Sequence, residues 1–184
     1  MTNNIQRIRK FVWSATMLLA VIGIAGLTQA GEAKHGKDTM KQADMTLWQA
    51  IDALAQQIPF SRKKVETLLS THLEEKSGTT SWNFFEGPGP KLSEGAIISN
   101  IDLRLRLNSE GQGFLVLEIG GACVTIDQIK AHYENLRITG SPRGGSLNAQ
   151  TYYSKTLPWG ELSFGIKEEN PRCLFSVIFR PTGS

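Results

Sequence analysis

Residues 97–136 read IISNIDLRLRLNSEGQGFLVLEIGGACVTIDQIKAHYENL, and their pattern decides the fold. Ile101, Leu103, Leu105 and Leu107 alternate with Asp102, Arg104 and Arg106, the period of two that marks a half-buried strand. A turn at Asn108-Ser-Glu-Gly-Gln-Gly113 leads into a second apolar run, Phe114 to Ile119, and then through Gly120-Gly121 to Cys123. Thr125-Ile-Asp-Gln128 opens a helix. The Thr125 hydroxyl accepts from the Gln128 amide while the Gln128 side chain reaches back, and Asp127 suits the positive end of the dipole. Ile129, Tyr133 and Leu136 would turn inward from that helix, with His132 beside them. A β-hairpin feeding a capped helix, with a cysteine at the junction, is the nucleus of the fold.

Upstream, two helices are expected. Leu47, Trp48, Ile51, Leu54, Ala55 and Ile58 form one apolar stripe over 45–58, with Asp44 or Thr46 as cap and Pro59 as stop. Ser61 caps a second helix carrying Val65, Leu68, Leu69 and Leu73, which runs to Glu74-Glu-Lys-Ser-Gly78. Thr79–Glu86, rich in aromatic and β-branched residues, reads as a strand, followed by a Gly87-Pro-Gly-Pro90 loop. Downstream, 136–139, 151–156 and 160–167 read as strands, and Leu157-Pro-Trp159 as a turn. Cys173–Arg180, apolar on both faces, reads as a central strand. No internal repeat is visible. The expected class is α+β: an N-terminal helical hairpin, then an antiparallel sheet of about five or six strands with one further helix packed on it.

The chain begins with Arg7, Arg9 and Lys10, a run from Phe11 to Leu27 without a charged residue, and the small residues Thr28 and Ala30 flanking Gln29. That is the layout of a secretory signal peptide over 1–30, cut after Ala30. An uncleaved anchor would export the body equally, so any membrane contact runs only through this segment. Residues 31–43 read as a flexible polar leader and 44–184 as a single domain. The whole chain holds 20 Lys+Arg and 17 Asp+Glu; three of the bases and none of the acids precede Gly31, which leaves 17 of each. That balance gives no basic face for nucleic acid. The location expected is periplasmic or secreted. The two cysteines of an exported chain, Cys123 and Cys173, are most simply one disulfide.

The segment from Gly120 to Tyr133, followed by strands, resembles a unit of small exported proteins. These are the β-lactamase-inhibitor-protein (BLIP)-like group and the outer-membrane assembly lipoproteins (SmpA/BamE-like). In both, a Thr-opened helix with an apolar-x-x-x-aromatic pattern packs on a meander. The sequence shows neither the duplicated unit of the inhibitors nor the lipid-anchor cysteine of the assembly proteins. The resemblance implies a module that grips another protein by its sheet face or loops, and it assigns no residue role.

Catalytic motifs are missing. His72 with Glu75 reads as a solvated helix face, and His132 has no nucleophile motif beside it. Glu74-Glu75 and Glu168-Glu169 are adjacent pairs whose side chains diverge, unsuited to glycoside hydrolysis. No ligand set for a metal and no cofactor fingerprint is present. The Pro142-Arg-Gly-Gly-Ser146 loop is either a plain connection or an anion cradle built on Arg143. Arg143, Tyr152, Tyr153 and Trp159 are the candidate binding residues, of the types that supply hot spots when exposed. The function expected is a non-enzymatic exported binding protein, an inhibitor or immunity-type protein or envelope partner that inserts a loop such as 140–149 or 86–91 into a protein in the cell envelope. The alternatives are a small envelope hydrolase using His132 with a carboxylate, or a structural envelope component.

Overall fold

A computed structural model describes residues 45–107 and 113–183. The expected signal peptide, the leader and most of the 108–113 turn lie outside them. Helices α1 (Leu47–Ala55) and α2 (Arg62–Leu69) come first, then strands β1 (Glu74–Lys76), β2 (Trp82–Gly87), β3 (Ala96–Arg106) and β4 (Gly113–Gly121). Helix α3 (Ile126–His132) follows, then β5 (Arg137–Gly140), β6 (Gln150–Leu157), β7 (Gly160–Lys167) and β8 (Leu174–Pro181). The strands form one eight-stranded sheet in the order β1-β2-β3-β4-β8-β7-β6-β5, antiparallel at every pairing.

The expectation of five or six strands under an N-terminal helical hairpin is therefore corrected, among the described residues, to eight strands with three short helices. The error lies at the end of α2. Ser70 takes a left-handed backbone, φ 44°, and stops the helix four residues before the Glu-Glu-Lys run. Glu66 then secures the turn: its Oε1 accepts from Arg62 Nε at 3.0 Å and from the Leu73 amide at 2.9 Å. Those two hydrogen bonds, the Leu73 amide foremost, hold the Glu66 carboxyl below its ordinary pKa. The freed residues 74–76 extend along β2, opposite Glu86, Phe85 and Phe84. All three are exposed, so β1 carries no apolar member to reveal a period of two.

Strand order is symmetric about the β4–β8 junction. Each half is a helical segment followed by a four-stranded meander, and the last strands of the two meanders pair at the centre of the sheet. The sequence shows no internal repeat, yet the two halves share an order of elements, because a meander requires alternation and turns, not particular residues.

The core lies on one face. Phe85, Ile101, Leu103, Leu115, Leu117, Phe164, Val177 and Phe179 are buried there in one cluster with Leu47, Ile51 and Leu54 of α1, Val65 and Leu69 of α2 and Ile129 of α3. In β3 the register shifts between Ile98 and Asn100. This bulge switches the inward set from Ala96 and Ile98 to Ile101 and Leu103, all four buried. Both Thr46 of α1 and Thr125 of α3 make complete capping boxes, with Gln49 and Gln128.

Tyr133, just past α3, ties the two halves together. Its hydroxyl donates to Asp52 Oδ1 on α1 at 3.2 Å, and its ring lies 5.0 Å from Phe164. Burial first, and the Asp52 charge second, raise the phenol above its ordinary pKa. A raised folded-state value means this stabilisation is complete below the unfolded pKa of roughly 10 and is lost as pH climbs through the folded one. Stability should therefore fall more steeply above about pH 10 in the wild type than in Tyr133→Phe, whose ring cannot ionise. Denaturant midpoints collected across that range check this; parallel curves would contradict it.

The disulfide Cys123–Cys173 is formed, with Cα atoms 5.1 Å apart. It joins the chain leaving β4 to the start of β8, beside a hydrogen bond donated by the Leu174 amide to the Val124 carbonyl at 2.8 Å. A formed disulfide marks an oxidising, exported environment.

Candidate functional site

The helices occupy one side of the sheet, and strand alternation sends every second side chain to the other. Asp102, Arg104, Phe114 and Val116 pair across β3 and β4 in this outward set, and Phe84 of β2 lies opposite Arg104. The outward set continues into Ile178 and Ser176 on β8, Ser163 and Gly165 on β7, and Ser154 and Tyr152 on β6.

At the β2–β4 end these side chains form a stacked array. The Arg104 guanidinium lies between two rings, 5.3 Å from the Phe84 centroid and 5.1 Å from that of Phe114. Arg106 lies 5.1 Å over Trp82, which meets Phe114 edge-on at 5.8 Å. Each such cation–π contact stabilises by about 0.5–1 kcal/mol at an exposed site. Arg104 also forks onto Asp102, with Nη2 to Oδ2 at 2.6 Å and Nε 3.0 Å from both oxygens. The hydrogen bonds to Asp102 raise the guanidinium pKa further, so Arg104 is a permanent, fixed charge. Trp82, Phe84, Arg104, Arg106 and Phe114 thus hold one another in place on this face.

The four binding residues expected from sequence do not converge. Tyr152 and Tyr153 are consecutive on β6, so their side chains take opposite sides of the sheet. Tyr152 belongs to the open face beside Gly165, whereas Tyr153 pairs with the inward-facing Phe164. Trp159 stacks on the core ring of Phe179 at 6.0 Å, which makes it a packing residue. Arg143 is exposed in the 141–149 connection. The hollow of 400 Å³ beside that connection is lined by the Glu168 carboxylate, which opposes an anion cradle there.

Neither of the two described histidines, His72 and His132, sits in a catalytic geometry. His132 is exposed and stacks on Trp48 at 4.0 Å between centroids, and no carboxylate pairs with it among the described residues. His72 Nδ1 meets Glu66 Oε1 at 3.2 Å on the surface, not Glu75. No group of three or more His, Cys, Asp or Glu able to hold a metal occurs among the described residues.

Trp82, Phe84 and Phe114 escaped the sequence reading, which noted Arg104 and Arg106 only as the polar alternates of a half-buried strand. The signal was available in part: once β3 is paired with the strand after it, outward positions of one must oppose outward positions of the other. No family model, curated protein or solved structure matches this chain.

Proposed function

We propose that the protein is a non-enzymatic binding protein of the periplasm or secreted space. It grips a protein partner with the open face of its sheet, as an inhibitor or immunity-type protein does when it occludes an enzyme. The observation that carries this reading is the array of Trp82, Phe84, Arg104, Arg106 and Phe114 on a sheet face that none of the described helices covers.

Size supports a protein as the occupant. Eight strands at about 4.8 Å and central strands of about eight residues at 3.3 Å span roughly 34 by 26 Å, or about 900 Å². A stable protein–protein interface uses about 800 Å² per partner. Aromatic and arginine side chains already locked against one another lose little rotamer freedom on binding, which favours affinity.

The site is testable on its outer edge, where substitution leaves the core alone. In the double variant Trp82→Ala, Arg106→Glu, partner affinity should fall at least about tenfold, equivalent to roughly 1.4 kcal/mol, while the melting temperature stays close to wild type. Affinity within about twofold of wild type would rule this face out as the contact.

A further inference from the structure

The far end of the open face is chemically unlike the aromatic end. Between β5 and β8 it sinks into a hollow of 420 Å³, within the roughly 300–1,000 Å³ typical of small-molecule sites. A chain of hydroxyls runs along it. Thr139 Oγ1 is 2.6 Å from Ser154 Oγ, which is 2.7 Å from Ser163 Oγ, and Ser163 donates to Glu161 Oε1 at 3.3 Å. Arg180 Nη1 donates to the same carboxylate oxygen at 3.3 Å.

The Tyr152 ring also lines this hollow. It is there because its two cross-strand neighbours are Gly140 and Gly165. A Cβ at either glycine would come within 3.0 Å of the ring, and at Gly165 it would also collide with Gln150 Oε1 and Ser176 Oγ. The missing side chains leave the aromatic surface room to spread over the sheet.

We propose that this hollow binds a pyranose ring, the unit of a glycan. The Arg180–Glu161 pair has no net charge, so an anion would face Glu161 and a cation would face Arg180. Neighbouring hydroxyls of a sugar satisfy both at once, donating to the carboxylate and accepting from the guanidinium. The side chains remain accessible for this, Arg180 at 60% and Glu161 at 31%. Tyr152 and Ile178 supply apolar surface for the C–H face of the ring, while Ser163, held by Ser154 and Glu161, has its hydroxyl direction set in advance. This hollow lies on the same sheet face as the Trp82–Arg106 edge but at its opposite end, and sugar binding by the protein alone is tested without the protein-partner reading.

Saturation-transfer NMR on the intact protein tests it, with D-glucose, D-galactose and N-acetyl-D-glucosamine as probes at about 10 mM, enough to populate a millimolar site. Acetate and choline serve as charged comparisons. At least one pyranose should receive saturation, and its affinity should drop about tenfold or more in Tyr152→Ala and in Arg180→Ala, with Tyr152→Phe close to wild type. Arg180 is exposed, so its variant remains informative even if Tyr152→Ala loses its fold. Silence from all three sugars, transfer unchanged in both variants, or preference for acetate or choline would overturn the proposal.

Discussion

Replacing Phe179 with alanine is expected to lower unfolding free energy by about 4 kcal/mol and the melting temperature by roughly 10–15 °C. Phe179 sits fully buried on β8, the strand that joins the two meanders. It lies opposite Leu115 on one side and Leu162 on the other. Phe60 meets its ring edge-on at 5.9 Å and Trp159 stacks on it at 6.0 Å, so the cavity left behind is walled by groups with little freedom to collapse. Against a total stability of about 5–15 kcal/mol, the loss is a large fraction. Chemical denaturation measures it; a change below about 1 kcal/mol would mean that the junction of the halves is not where the core is anchored.

The second large effect concerns the disulfide. It closes a span of 50 residues that contains α3 and all of β5–β7. In the chain-entropy account, opening such a loop releases unfolded-state freedom equivalent to roughly 4 kcal/mol. The Val124–Leu174 hydrogen bond and the bridge between Thr125 and Cys173 keep the same two segments together in the folded state. The double variant Cys123→Ser, Cys173→Ser should therefore fold but lose about 3 kcal/mol, near 10 °C in melting temperature. Cys123 is exposed in a cleft of 560 Å³, so reductant should bring the wild type to the same midpoint. Melting within about 2 °C of wild type in both experiments would contradict the loop-closure account.

What the sequence discloses follows from which forces are local. The β3–β4 hairpin and the Thr125 capping box are legible because alternation and capping are written in neighbouring residues. The β3 bulge is hidden, because Ala96, Ile97 and Ile98 are all apolar and Ile97 keeps the parity of 101, 103 and 105, so only the strand pairing reveals the extra residue. Strand β1 is illegible, since Glu-Glu-Lys has no buried member and its pairing depends on a turn built by Ser70 and Glu66. The twofold architecture is hidden for a related reason, as the two meanders share a pattern of turns but not residues. For the proposed binding face, the aromatic and arginine residue types drew attention, but the positions that come together are set by register. Tyr152 and Tyr153 are adjacent in sequence and separated by the sheet, whereas Phe84, Arg104 and Phe114 are scattered in sequence and brought together by it.

The open sheet face as the partner-binding surface is tested most directly by site-specific photo-crosslinking. A photoreactive phenylalanine analogue would replace Phe84 or Phe114 on the open face, or Lys63 on the exposed side of α2. Each variant is expressed in an exporting cell, illuminated and analysed by mass. Crosslinks to one and the same envelope protein from positions 84 and 114, with none from position 63, are the predicted result. Crosslinks from position 63 alone would place the contact on the helical side and contradict the account.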